Sequence, residues 1–269
     1  MININTNSID LILINNKENN NVNKELYRVL KPGGYLFGID KPHKSHNSVC
    51  DIEDIGFIIK DSISYFFKEN EDVKQDVICL AMKPLSEKNF AENVMKWGTG
   101  GLNIDGCRIA HNEKTNSCIR KSPKFQGICG EWSDSGEVIT TANPEGRFPA
   151  NFIIHKDVAP ILDKQSGYSK SSDAIRRNNQ SKHTGSKNGA YCYGKFNDCD
   201  TRGYSDAGGA SRFFKNVDSY KELLKYIAIM GLPPKQGRVL FIGFDNAEEI
   251  IKEINNENGT SYEVVGGNE

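Results

Sequence analysis

Four polar residues, Asn15-Asn16-Lys17-Glu18, follow directly on the apolar run Ile9-Asp-Leu-Ile-Leu-Ile14. Such a run reads as a strand buried on both faces of a parallel sheet, and ligands of open α/β sheets gather at the carboxyl ends of such strands. There the Asn15 amide oxygen can accept a hydrogen bond, Lys17 brings an ammonium and Glu18 a carboxylate. As plain structure the tetrapeptide is a solvated turn leading into an Asn-rich loop, and we prefer that reading. A second candidate lies near the other end. Arg238-Val-Leu-Phe-Ile-Gly243 is strand-like, and in the following Phe244-Asp-Asn-Ala-Glu-Glu-Ile250 the acids Asp245, Glu248 and Glu249 surround a helix start. They suit the helix dipole, with Asp245 or Asn246 as N-cap. The same charges repel a second anion, so the turn is sound helix design and a poor carboxylate pocket.

The third candidate is basic. From Lys164 to Lys215, Lys and Arg outnumber Asp and Glu ten to four, interleaved with Tyr168, Tyr191, Tyr193, Phe196 and Tyr204. Cations on a glycine-rich surface hold phosphates, and aromatic rings stack on extruded bases. Arg176, Arg177, Lys182, Lys187 and Lys195 are the nucleic-acid contacts this pattern nominates; the plain alternative is a solvated charged loop. His43, His46 and Cys50 have ligand-like spacing but no convincing fourth ligand nearby, so no metal site is expected.

The elements that must carry these residues alternate. Asn23–Leu30 has helical spacing at Leu26, Val29 and Leu30 and is stopped by Lys31-Pro-Gly-Gly34, after which Tyr35–Ile39 reads as a strand. Ile52–Gly56 reads as a short helix and stop, with Phe57–Phe67 and Asp76–Met82 as strands. This order argues a parallel, doubly wound sheet. From Pro84 to Lys215 the pattern dissolves, and only Asn151–Ile154 looks like a strand. Order returns with the helix Tyr220–Ile229, the strand Arg238–Gly243, the helix Ala247–Asn255 and a last strand, Tyr262–Val265. We therefore divide the chain into 1–83, an irregular 84–215, and 216–269. Net charge is -1, so any basic surface must be local, and the seven cysteines are scattered without a Cys-x-x-Cys. With no secretory leader and no apolar run of spanning length, the expectation is a cytoplasmic protein with no membrane partner.

Several phrases together resemble the DNA amino-methyltransferases, which methylate adenine N6 or cytosine N4, and in particular a phage and prophage branch. They are Glu25-Leu-Tyr-Arg-Val-Leu-Lys-Pro-Gly-Gly34, Glu53-Asp-Ile-Gly-Phe57, Lys83-Pro-Leu-Ser-Glu87, Ala91–Ile109 with its Trp97-Gly-Thr-Gly-Gly-Leu-Asn-Ile-Asp-Gly-Cys-Arg-Ile109, Gly146-Arg-Phe-Pro-Ala-Asn151 and Gly208-Gly-Ala-Ser-Arg-Phe-Phe214. The resemblance spans nearly the whole chain. It implies a Rossmann-like S-adenosylmethionine-dependent methyltransferase sheet with a long irregular insertion, in which the middle region contributes target recognition and double-stranded DNA is the partner. Such enzymes flip the target base into a pocket.

The resemblance also locates what has changed. Where the family's first strand ends in Asp-Pro-Pro-Tyr, this chain has Asn15, Asn16, Lys17 and Glu18. Both prolines that fix the backbone are gone, and so is the ring that stacks on the base. Where the family has Asp-Pro-Phe-x-Gly-Ser-Gly, this chain has Phe241 and Ile242 in place of Asp-Pro, Gly243 as the single glycine, and Asp245 and Ala247 at the later glycine positions. Asn268 stands where an acid holds the cofactor's ribose, with Glu269 there after a one-residue slip. We read a pseudoenzyme that needs no cofactor and binds DNA or a partner protein, such as a host defence component or a methyltransferase subunit, in an anti-restriction or anti-defence role. The rival reading is an active, S-adenosylmethionine-using methyltransferase with an atypical site, or one completed by a second subunit. Arg147 and Arg212, inside framework phrases, serve equally as DNA contacts or as buried ion-pair anchors, and Trp97–Gly101 reads as a tight structural loop.

Overall fold

The apolar runs assemble side by side. The computed structural model describes residues 4–16, 24–110, 145–170 and 207–265, with the backbone of four short strands between 118 and 140. The main elements are β1 (Ile9–Asn15), α1 (Lys24–Val29), β2 (Leu30–Asp40), α2 (Ser45–Ile55), β3 (Ile58–Glu69), β4 (Asp72–Met82), α3 (Phe90–Trp97), β5 (Phe152–His155), α4 (Ala159–Ser166), β6 (Lys215–Val217), α5 (Tyr220–Gly231), β7 (Gln236–Ile242), α6 (Ala247–Asn258) and β8 (Ser261–Val264). One eight-stranded sheet results, in the spatial order β6-β5-β3-β4-β2-β1-β7-β8. Every neighbouring pair is parallel except those made by β4, which runs against both β2 and β3. This is a Rossmann-like, largely parallel α/β sheet.

Side-chain alternation loads both faces. Leu11, Leu13, Phe37, Ile39, Val239 and Phe241 pack on one side with Leu223 and Ile227 of α5 and Ile250 and Ile254 of α6. Ile12, Ile14, Leu36 and Leu240 pack on the other with Leu26 and Val29 of α1 and Ile52 of α2. The result is a helix-sheet-helix sandwich.

Four sequence expectations need correction. The sheet is not wholly parallel: β3 and β4 form a hairpin that pairs from Ile58↔Met82 to Glu69↔Asp72, turning at Asn70 with φ +56. The polar stretch Lys68–Asp76 resembles a loop, but as the exposed tip of two long strands it has little need of apolar residues. Lys31-Pro-Gly-Gly34 does not separate helix from strand; it lies inside β2, where the register to β1 shifts between Ile9 and Leu11. The short helix at Ile52 is the last turn of the eleven-residue α2. Finally, residues 84–215 carry α3, α4 and β6 besides β5. The α3 cap was legible: Asn89 Oδ1 accepts from the Glu92 amide at 2.9 Å, while Asn89 Nδ2 donates to the Glu92 carboxylate at 2.8 Å, a reciprocal cap.

The framework phrases gather at the amino edge of the parallel strands. Asn93 of α3, fully buried, donates to the carbonyls of Pro32 at 2.9 Å and Thr99 at 2.8 Å and accepts from the Ser86 amide at 3.2 Å. Thr99 Oγ1 also donates to Pro32 O at 2.6 Å, and Tyr35 Oη to Gly100 O at 3.0 Å. Lys83 buries its ammonium among Asn7 Oδ1, Tyr27 O and Leu30 O at 2.8, 2.6 and 2.7 Å, over the Tyr27 ring. Burial lowers its pKa. Gly33 sits at φ +77, and a Cβ there would lie 2.5 Å from Asn93 Nδ2. These phrases clasp the start of β2.

Candidate functional site

Connections leave β1 and β7 in opposite directions. From β1 the chain passes through α1 to β2 on one side, and from β7 through α6 to β8 on the other. The carboxyl ends of this pair are the sheet's topological switch point, where open α/β sheets leave a crevice. The register Ile14↔Ile242 brings Asn15 level with Gly243. Asn15 Nδ2 donates to the Gly243 carbonyl at 3.2 Å, tying the two strand ends together. Gly243 is exposed and holds φ +76, a left-handed conformation that favours glycine.

Asn16 turns inward. It is 5% exposed, and its Nδ2 donates to Asp40 Oδ2 at 3.3 Å. Asp40, at the carboxyl end of β2, also accepts at Oδ1 from Ser48 Oγ of α2 at 3.0 Å. Burial pushes the Asp40 carboxyl above its ordinary range, against the lowering effect of its bonds from Asn16 and Ser48 and of the Lys44 charge. Asn16 Oδ1 is buried and finds no hydrogen-bond partner among the described residues. An orphaned acceptor of this kind costs about 1–3 kcal/mol. The sequence signal for this group was Asp40 itself, a lone acid closing the run Tyr35-Leu-Phe-Gly-Ile39.

On the β7 side, Phe241 does not face the crevice. It is buried and meets Phe244 edge-to-face at 5.8 Å and 90°. Asp245 is exposed at the start of α6. Asn246 occupies the N-cap position, but its side chain makes no capping bond, so neither expected cap forms. Nor is the acidic first turn a bare negative cluster. Glu249 accepts from Lys221 of α5 at 2.7 Å, Lys221 also holds Glu253, and Lys225 reaches Glu253 at 3.3 Å and Glu257 at 2.6 Å. These pairs strap α6 to α5, while Glu248 remains exposed.

Arg147 and Arg212 hold backbone carbonyls and an aromatic ring. Arg147 Nη1 donates to Arg212 O at 2.8 Å, Arg212 Nη1 donates to Gly208 O at 2.7 Å and also to Gly209 O, and both guanidiniums cover the Phe213 ring at 4.7 and 4.1 Å. They precede β5 and β6, the two strands at the far side of the sheet from β7 and β8. Lys17, Glu18, Asn268, Arg176, Arg177, Lys182, Lys187 and Lys195 lie outside the described residues. No helix among the described residues is long and apolar enough to cross a membrane.

No protein-family model matches the chain, and no curated protein matches it by sequence. Among solved structures it is similar to the M1.HpyAVI–SAM complex, at 9% identity and a TM-score of 0.40 over 97% of this chain and 82% of that one. M1.HpyAVI alone gives 8% and 0.41 over the same shares. The PvuII DNA methyltransferase, described as cytosine-N4-specific, gives 9% and 0.39 over 99% of this chain and 77% of that one. Similarity at this level says nothing about chemistry.

Proposed function

We propose that this chain keeps a DNA-methyltransferase scaffold, performs no methyl transfer of its own, and acts by contacting double-stranded DNA. One observation carries the first half of the reading: the Asn15 amide, which the resemblance matches to the acceptor for the target amine, bonds as a donor to Gly243 O across the switch point. An acceptor aimed at a substrate amine has to be held for that task, and a misplacement of about an ångström costs on the order of a hundredfold in rate. Here neither proline holds the backbone after Asn15.

The groups around the crevice also fit S-adenosylmethionine poorly. Gly243 is the single glycine at the β7 end, and a carboxylate approaching the amides of α6 meets the exposed acids Asp245 and Glu248 beside them. The DNA half rests on the charge pattern of residues 164–215 and on the family resemblance. The phage-type phrases suit a role in occupying sites against host restriction or defence.

Two experiments test the reading. Calorimetric titration with S-adenosylmethionine is expected to give no heat of binding at micromolar concentrations, and radiolabelled methyl groups are expected to stay off duplex DNA. Micromolar binding, or label that disappears on changing Asn15, refutes the pseudoenzyme. Duplex DNA is expected to be retarded at low salt and released as salt rises, with Arg176→Glu and Arg177→Glu weakening retention. Absence of retardation, or indifference to those changes, refutes DNA contact through this segment.

A further inference from the structure

The helix α3 turns its apolar side to solvent. Phe90, Val94 and Met95 are 48%, 42% and 90% exposed, three of the eight large apolar side chains exposed among the described residues. No other element among those residues contributes more than one. At about 100° per residue, Phe90, Val94, Ala91 and Met95 follow one another round a single arc of the helix. Ala91 is exposed as well. A polar side holds α3 to the protein instead: Asn93 is fully buried, and Trp97 Nε1 donates to Ser86 Oγ at 2.7 Å. Scattered apolar side chains on a surface are ordinary, whereas a contiguous apolar stripe marks a contact with another macromolecule.

The charges that border the stripe choose its occupant. Beyond Met95, the next residues round the helix are Glu92 and Lys96, one turn apart on the same flank. The acid lies towards the amino end and the base towards the carboxyl end. Glu92 accepts from Asn89 at 2.8 Å and Lys96 donates to Glu87 at 2.6 Å, and both side chains are exposed. A carboxylate and an ammonium bonded in this way each have room for a further partner. With a second copy of α3 set antiparallel, a two-fold axis beside Val94 lies in the contact plane at right angles to both helices. Each flank then meets the same flank of the other copy. Glu92 of each copy faces Lys96 of the other, because position 94 is midway between them, and the two Val94 side chains meet at the axis. Parallel pairing sets the Glu92–Lys96 flank against the Asn93–Trp97 flank, where α3 has no charge to answer it. The stripe is therefore self-complementary in the antiparallel sense, as an isologous interface must be.

We propose that two copies of this chain associate through α3, packed antiparallel about Val94. Two helical turns offer much less than the roughly 800 Å² per partner of a standard interface, so the pair is weak and depends on concentration. Sedimentation velocity of the full chain is expected to show monomer at about 1 µM and a growing dimer fraction towards about 500 µM. Val94→Glu sets two carboxylates together at the axis and is expected to weaken association at least about tenfold. Glu92→Lys and Lys96→Glu, each alone, turn both rim pairs repulsive and are expected to weaken it roughly tenfold. An equimolar mixture of those two variants recovers both attractions, and is expected to associate about as well as the unaltered chain. Monomer at every concentration overturns the proposal. So does association that Val94→Glu leaves untouched, or a mixture that stays monomeric while the unaltered chain dimerises. All three positions are solvent-exposed, and the unaltered chain needs no variant to give the first of these results.

Discussion

Asp40→Asn is expected to stabilise the protein at neutral pH. Asp40 is buried at the end of β2, accepts from Asn16 Nδ2 at 3.3 Å and Ser48 Oγ at 3.0 Å, and lies beside an amide whose Oδ1 has no partner among the described residues. Asparagine keeps the shape and the acceptor for Ser48. Its new Nδ2 can donate to Asn16 Oδ1 once the Asn16 amide turns over, so the single bond between the two side chains is kept in the reverse direction while the buried charge is removed. Removing the charge relieves a desolvation that outweighs the charge-assisted bonds holding it, since the net displacement of the Asp40 pKa is upward. The net is a gain of about 1 kcal/mol, or about 2–4 °C in Tm for a chain approaching this size.

The pH dependence separates this mechanism from a general packing effect. Burial raises the folded-state pKa of Asp40 above its ordinary 3.8. Between those two values the folded chain holds a proton that the unfolded chain has released, so stability falls as pH rises through that window and levels off above the folded value. Below 3.8 the carboxyl is neutral in the folded and unfolded chain alike, as asparagine is at every pH. The advantage of the variant is therefore greatest at pH 7 and shrinks towards zero on acidification. Urea or thermal unfolding of both proteins from pH 4 to pH 8 measures it. A variant less stable at pH 7, or a difference that ignores pH, would refute the reasoning.

Asn93→Ala removes three hydrogen bonds from a fully buried amide and is expected to cost about 3 kcal/mol, read as a lower urea midpoint. Gly231→Ala, at the end of α5, would set a Cβ 2.6 Å from Leu11 Cδ1 and 2.8 Å from Phe37 Cε2, both on fully buried side chains. Overpacking of that kind costs about 1–3 kcal/mol in the same measurement. Burial pushes the thiols of Cys79 and Cys107 up to about 11 and about 12, so at pH 8 both stay protonated. Peptide mapping after alkylation of the native protein is expected to find exposed Cys50 labelled and these two bare, and all three labelled in denaturant.

Much of the sheet was legible because its strands are apolar on both faces, and Ile9–Asn15 and Gln236–Ile242 admit no other reading. Residues 68–76 were not, because the tip of a hairpin that projects beyond the sheet has no core to bury and its composition says loop. Residues 90–97 were missed because α3 buries a polar residue, Asn93, and leaves Phe90, Val94 and Met95 exposed, which inverts the periodicity a helix is read by. At the site, the sequence placed Asn15 and Gly243 together, since parallel register and a shared strand end follow from topology. It could not say which way each amide points. Asn15 reaches sideways to β7 and Asn16 inward to Asp40, a division set by the alternation of faces at the last residues of β1. Nor could it foresee Lys221 and Lys225 meeting Glu249, Glu253 and Glu257, because those partners come from a separate helix.

The residues that carry the family resemblance and those that would carry its chemistry stand on opposite edges of one sheet. Lys83, Asn93 and Thr99 satisfy carbonyls at the amino edge, where a lost donor leaves a buried acceptor unpaired and threatens the fold. At the carboxyl edge, Gly243 and Asp245 are solvent-exposed, and what they bind has no bearing on whether β1 and β7 pair. Selection for a folded scaffold alone would hold the first set and release the second. The first set is therefore tied to stability. The two edges can be separated on the bench: changes at Asn93 should lower the melting temperature clearly, whereas changes at Asn15 should leave it nearly unmoved.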